Sequence, residues 1–143
     1  MSFYTCLIIM AGGALGTFAR YAVSIIAMPI SRDMPWGTVI INVTGSLVIG
    51  LFSTLTLANG RFPVSDNMRL FVLIGLCGGY TTFSSFSLQT LDLLRSGAVV
   101  RACINVTASV VLCIGAVAVG HFIATRINSG APDVAQVAIE EQG

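Results

Sequence analysis

From Gly37 to Ala58 the chain carries no charged side chain, and three further stretches are almost as clean. One runs from Phe3 to Met28 with Arg20 as its single charge. Another runs from Met68 to Leu94, and the last from Ala98 to Thr125 with Arg101 near its start. Each is long enough for a hydrocarbon core, which takes roughly 20 apolar residues of helix to cross. Inside a bilayer a spanning segment must satisfy its own backbone, which selects helices for apolar runs of this length. The expected fold is therefore an all-α integral membrane protein with four transmembrane helices. Composition agrees: 55% of residues are hydrophobic, 9% are charged, and the mean hydropathy is +0.91. A water-soluble domain carries about 25% charged residues, so a soluble reading fails.

Four spans with short loops occupy residues 1–126 as one channel-sized domain. After Arg126 the composition shifts to Asn, Ser, Gly, Pro, Asp and Glu, and residues 127–143 read as a disordered tail. Met1-Ser2-Phe3-Tyr4 lacks a basic region and reads as the start of a span, not as a cleaved leader.

The charge pattern excludes several functions. The net charge is +1, Lys is absent and no basic patch occurs, so nucleic acid is not an expected partner. The four cysteines (Cys6, Cys77, Cys103 and Cys113) lie in apolar stretches without a CxxC pair, which argues against a metal site or a disulfide framework. His121 is the one histidine, and it reads as a packed or interfacial residue. No nucleophile, base and acid can be assembled, so the chain is not expected to be an enzyme. No carboxylate lies deep in a span either, and proton-coupled transport normally needs a membrane-embedded ionisable group. The spans offer neutral donors instead: the amides of Asn42 and Asn105, and the hydroxyls of Thr81, Thr82, Ser84, Ser85, Thr107 and Ser109. Neutral N–H and O–H groups suit a small anion that must shed water.

Four spans put both termini on one side, together with Arg61, Arg69 and Arg126, and leave Arg32, Arg95 and Arg101 on the other. Positive-charge bias normally sets orientation, and here it is nearly balanced. A chain of this kind is either one that inserts both ways or a single-orientation protein with weak bias. Four short helices do not readily both pack and enclose a pathway, so an oligomer is expected. With both orientations present, an antiparallel two-fold dimer is the natural arrangement.

The third stretch holds Gly78-Gly79-Tyr80-Thr81-Thr82-Phe83-Ser84-Ser85-Phe86-Ser87 at its middle. Two glycines and a run of hydroxyl residues favour a helix broken near its middle, and broken membrane helices often place free carbonyls at ion sites. The other reading is that the hydroxyls bond back to the helix. Phe83 and Phe86 share a helix face three residues apart. Their positive ring edges suit an anion, although two membrane phenylalanines are more often plain packing. Arg20 either snorkels or holds a positive potential at a water-filled vestibule. Gly12/Gly16 and Gly75/Gly79 form GxxxG pairs, which predict close helix approach without naming the partner helix. Ile41-Asn42-Val43-Thr44-Gly45-Ser46 recurs as Ile104-Asn105-Val106-Thr107-Ala108-Ser109, by chance or as two similar polar faces.

Three extended motifs carry a resemblance. They are Gly12-Gly13-Ala14-Leu15-Gly16-Thr17-Phe18-Ala19-Arg20-Tyr21, the segment from Trp36 to Ser46, and the segment from Gly75 to Ser87. In this order, over residues 3–125, the chain resembles the CrcB/Fluc fluoride channels of bacteria. The resemblance implies an antiparallel dual-topology homodimer in the bacterial inner membrane, with two fluoride pores, each lined by both subunits. It implies that Phe83 and Phe86 turn ring edges to fluoride, that the Asn42 amide faces the pathway, and that Arg20 stands near the vestibule. Thr82, Ser84 and Ser85 match hydroxyls lining the pathway. Asn105, Ser109 and Cys113 match a polar track on the fourth helix. A structural sodium ion at the dimer centre would be held by the backbone carbonyls of Gly78 and Thr81.

The mechanism so implied is passive electrodiffusion that relieves cytoplasmic fluoride toxicity. Two rivals are weaker. A small multidrug exporter would resemble its kind in a first-span glutamate, which is absent here. A membrane scaffold would leave the asparagine, hydroxyl and phenylalanine set without a purpose.

Overall fold

The computed structural model describes residues 2–57 and 60–129 and is helical throughout its ordered elements. Helix α1 spans Phe3–Ile26 and is followed by one 3-10 turn, Met28–Ile30. Helix α2 spans Trp36–Leu55. The third span is composite: α3 (Asp66–Arg69), a π-helical segment (Leu70–Leu76), α4 (Cys77–Tyr80) and α5 (Phe83–Arg95). Helix α6 spans Val99–Asn128. Among the described residues, four helical stretches are long and apolar enough to cross a membrane: Phe3–Ile26, Trp36–Leu55, Asp66–Arg95 and Val99–Asn128. The chain is a multi-pass membrane protein. The expected tail falls outside the described residues beyond Ser129; before it, α6 runs on to Asn128, two residues past the expected domain end.

The glycine pairs find their partners within this chain. Gly12 on α1 stands against Gly75, where an added Cβ on Gly12 would lie 2.5 Å from the Phe71 carbonyl oxygen and one on Gly75 would lie 2.8 Å from that of Ile9. One turn on, a Cβ on Gly79 would lie 2.5 Å from the Gly13 carbonyl oxygen. Helix α1 therefore lies against the first half of the third span with backbone on backbone, as GxxxG pairs allow in lipid. Helix α2 packs along α6, crossing it where Gly50 meets Val117 and Gly120 meets Leu47.

Side chains tie the two ends. At one end Arg69 reaches the carbonyl oxygens of Ser53 (3.2 Å) and Thr56 (2.8 Å) and the Thr56 hydroxyl (2.6 Å). These are acceptors at the C-terminus of α2, which the helix itself leaves unpaired. Asn128 does the same for the Thr54 carbonyl (2.9 Å) and takes the Arg61 N–H (2.9 Å). At the same end a His121 ring nitrogen pairs with the Thr54 hydroxyl (2.9 Å). At the other end Arg101 pairs with Asp33 (3.2 Å). Gly97 (φ 80°) closes α5: Ala98 N–H returns to the Leu93 carbonyl (2.9 Å) and the chain turns into α6. The arginines thus group by end as the span count predicts, with Arg61, Arg69 and Arg126 at one end and Arg32, Arg95 and Arg101 at the other.

Candidate functional site

The third span breaks at Thr81 and Thr82, just after the glycines. Thr81 N–H still completes the last turn, donating to the Cys77 carbonyl (2.9 Å), and the Thr81 hydroxyl donates to the same oxygen (2.9 Å). Then Thr81 turns extended (φ −80°, ψ 158°), and so does Thr82 (φ −153°, ψ 116°). Thr82 is the N-cap of α5, its hydroxyl oxygen accepting the Ser85 N–H at 3.2 Å.

A broken helix leaves peptide groups to be satisfied, and Thr82 is buried, so water does not serve them. Asn42 of α2 supplies both partners. Its Oδ1 accepts the Thr82 N–H (2.8 Å), and its Nδ2 donates to the Thr82 carbonyl (3.0 Å). The second amide hydrogen has no partner among the described residues. Two further residues of the same α2 segment hold the break. Thr44 gives its hydroxyl proton to the α2 backbone, nearest to the Ile40 carbonyl (2.7 Å), so its oxygen takes the Tyr80 hydroxyl (2.9 Å) as an acceptor. Gly45 leaves the space that the Thr81 methyl and the Tyr80 ring fill.

Beside the break lies a cavity of about 390 Å³. Its lining includes Asn42, Thr82, Phe83, Phe86, Ser109 and Cys113. The two phenylalanine rings stand 5.3 Å apart between centroids at 49°. Phe86 is buried, whereas Phe83 is 77% exposed, so one wall is open in the single chain. The Ser109 hydroxyl, on the buried face of α6, has no hydrogen-bond partner among the described residues.

Other expected residues stand elsewhere. Ser84 and Ser85 do not line this cavity; their hydroxyls lie 3.2 and 3.1 Å from the Thr82 hydroxyl and form a small cluster at the start of α5. Arg20 is half-buried on α1 and does not line the cavity, its carbonyl accepting the Ser24 hydroxyl (2.9 Å). Thr107 falls on the outward, apolar face of α6 beside Ile104 and Val111, because it is two residues from the buried Asn105 and Ser109. Gly78 is exposed, with open space around its Cα, and Thr81 is half-buried.

Sequence reasoning did not find three features, two side-chain pairs and a set of unpartnered buried oxygens. Asn105 is 1% exposed, and its Nδ2 donates to the Thr90 hydroxyl (2.8 Å). That hydroxyl already donates to the Phe86 carbonyl (2.8 Å), so it can only accept, and the amide orientation follows. Among the described residues, Asn105 Oδ1 is then buried without a partner, as is Gln89 Oε1. The Tyr80–Thr44 pair is the third. Side-chain pairs between separate helices leave no mark in hydropathy or spacing. Among the described residues no group of three or more His, Cys, Asp or Glu is arranged to hold a metal ion.

The sequence that builds this site matches a known family. The family model described as CrcB-like protein, Camphor Resistance (CrcB), matches residues 7–121. The chain belongs to the CrcB family. Curated relatives agree over nearly the whole length. A protein of Methylobacterium radiotolerans named fluoride-specific ion channel FluC is 72% identical over 143 residues, covering 100% of both chains. One of Gluconobacter oxydans with the same name is 70% identical over 142 residues, 99% of each chain. A third, from Methylocella silvestris, is 56% identical over 121 residues, 84% of this chain and 92% of its own. These CrcB relatives are named as ion channels and not as enzymes.

Proposed function

We propose that this CrcB chain is a fluoride-selective channel of the bacterial inner membrane, working as an antiparallel dual-topology homodimer with two pores. The single observation that carries the reading is the cavity at the break. It brings a free Asn42 amide hydrogen, the Ser109 hydroxyl and two phenylalanine rings together around a carboxylate-free space. The names of the curated relatives point to the same ion.

The residues have separable tasks. The amide and hydroxyl hydrogens take the place of water around a small anion. Ring edges of Phe83 and Phe86 carry the positive part of the aromatic quadrupole. A small anion of high charge density gains more from close hydrogen donors than a larger halide does, and that difference favours fluoride. No carboxylate is buried at the cavity to carry a proton, so flow is passive. The open wall at Phe83 is where a second copy would complete the pathway, and the arginine balance between the two ends suits insertion in both orientations.

A structural sodium ion at the dimer centre belongs to this reading, with the carbonyls of Gly78 and Thr81 as its ligands. The residues present fit such an ion. Thr82 N–H, which would bond the Gly78 carbonyl in a continuous helix, goes to Asn42 instead. Thr81 precedes the N-cap of α5, so its carbonyl also lies outside the helical ladder. Neutral oxygens are what a hard monovalent cation takes, and Gly78 presents no side chain to block approach. When bound, the ion supplies positive charge where the two breaks would meet.

The test is fluoride efflux from liposomes containing purified dimer, with voltage clamped by a potassium ionophore and chloride followed in parallel. Fast fluoride release with chloride retained is expected, and Phe86→Ile is expected to abolish it. Folded dimer that releases no more fluoride than empty liposomes would overturn the reading.

A further inference from the structure

We infer that Asn42 keeps the Gly78 carbonyl available to the central cation, because it takes the one N–H that would otherwise close the helix over that oxygen. The inference rests on the sodium site proposed above and assigns a new task to a residue of the anion cavity.

The glycine and hydroxyl run weakens the helix but does not fix where it breaks. No proline stands in the third span, and Thr81 φ (−80°) is compatible with a helix; its ψ departs. After the π-helical segment, α4 keeps α-helical pairing up to Thr81 N–H, which donates to the Cys77 carbonyl. The next N–H, that of Thr82, is the first one diverted, and it goes to a side chain 40 residues away. A primary amide carries the same donor and acceptor pair as a peptide, so Asn42 replaces both lost helical partners of Thr82 at once. Because Thr82 is buried, removing the amide strands its N–H and carbonyl. The nearest remedy is for Thr81 to turn helical and for Thr82 N–H to return to the Gly78 carbonyl, which removes that oxygen from the cation's set. Asn42 thus serves two ions: it lines the anion cavity, and its amide oxygen takes the N–H that would otherwise occupy the Gly78 carbonyl. It is a positioning residue toward the cation.

The experiment measures thermal unfolding of purified dimer against sodium concentration, with choline as the replacing ion. Fluoride efflux is recorded on the same preparations. Wild type should gain stability with sodium along a saturable curve. Asn42→Leu loses the acceptor, and its sodium midpoint should rise by about tenfold, the equivalent of one lost hydrogen bond. Asn42→Asp keeps the acceptor and adds a negative charge, so its midpoint should stay at or below that of wild type while its fluoride efflux falls.

A purely structural role would lower the unfolding temperature of Asn42→Leu equally at every sodium concentration with an unmoved midpoint, and that result overturns the inference. If Asn42→Leu does not fold, Asn42→Ser, too short to reach Thr82, takes its place. A raised midpoint in Asn42→Asp equal to that of Asn42→Ser would also overturn it. Wild type with no sodium dependence but intact fluoride efflux defeats the inference and leaves the channel reading standing. Wild type without efflux defeats the channel reading itself.

Discussion

Helices α2 and α6 carry the same six-residue pattern, Ile41–Ser46 and Ile104–Ser109, differing only at Gly45 and Ala108. In α2 the pattern is fully employed on the break: Asn42 pairs with the Thr82 peptide, Thr44 with Tyr80, and Gly45 admits the Thr81 methyl. In α6 it is half employed. Asn105 reaches Thr90 through one hydrogen bond, Thr107 points outward, and Asn105 Oδ1 and Ser109 Oγ are buried without partners among the described residues. The difference lies in what each copy faces. The α2 copy meets a helix interruption with loose peptide groups, and the α6 copy meets the continuous helix α5, whose backbone is already paired. A polar motif in a membrane helix acquires its role from the unpaired groups opposite it.

The strongest test of this contrast substitutes the two asparagines by leucine. Asn42→Leu removes two hydrogen bonds and strands a buried peptide, an expected loss of about 3 kcal/mol. Asn105→Leu removes one hydrogen bond together with an unsatisfied oxygen, and is expected to change stability by about 1 kcal/mol or less. Denaturant unfolding of the purified protein in detergent measures both. Equal losses would mean that the α6 copy holds the fold together as firmly as the α2 copy does.

The next contrast is steric. A Cβ at Gly45 would meet the Thr81 methyl, and it would lie 3.1 Å from the Tyr80 ring. Gly45→Ala should therefore lower stability by about 2 kcal/mol through overpacking. Ala108→Gly, the reverse change in the other copy, should lower it by about 1 kcal/mol through helix propensity alone. The two variants also differ in function under the proposed reading. Gly45→Ala displaces the break and should slow fluoride efflux from liposomes, and Ala108→Gly should leave it near wild type.

Much of this was legible in the sequence, for reasons that differ by feature. The four spans follow from runs too apolar for water. The interruption in the third span follows from a glycine and hydroxyl cluster that helices tolerate poorly, and it falls inside that cluster, at Thr81 and Thr82. Gly79 is there to let α1 approach Gly13, and the chain breaks two residues later, where Asn42 waits. The π-helical segment Leu70–Leu76 had no signal, since Leu70-Phe71-Val72-Leu73-Ile74-Gly75-Leu76 is ordinary apolar sequence. The partner of each GxxxG pair was equally hidden, because the motif reports closeness and not address. Arg69 entered the sequence reading only as one of the arginines bearing on orientation, and it proves to cap α2.

The smallest contrast concerns the third position of the pattern. Thr44→Val removes the acceptor of the Tyr80 hydroxyl and should lower stability by about 1 kcal/mol. Thr107→Val, on an outward face, should stay within about 0.5 kcal/mol of wild type. A double-mutant cycle separates the contact from side effects of either substitution, since Tyr80→Phe deletes the same hydrogen bond from the other side. If the bond between Thr44 and Tyr80 helps to hold the end of α4 against α2, Tyr80→Phe should lose almost nothing further once Thr44 is valine, with a coupling of about 0.5–1 kcal/mol. The same cycle run with Thr107→Val should give no coupling, because that residue touches no part of the break. A coupling between Tyr80 and Thr107 equal to that with Thr44 would show that the two copies act on the break together, and the division of labour between α2 and α6 would have to be abandoned.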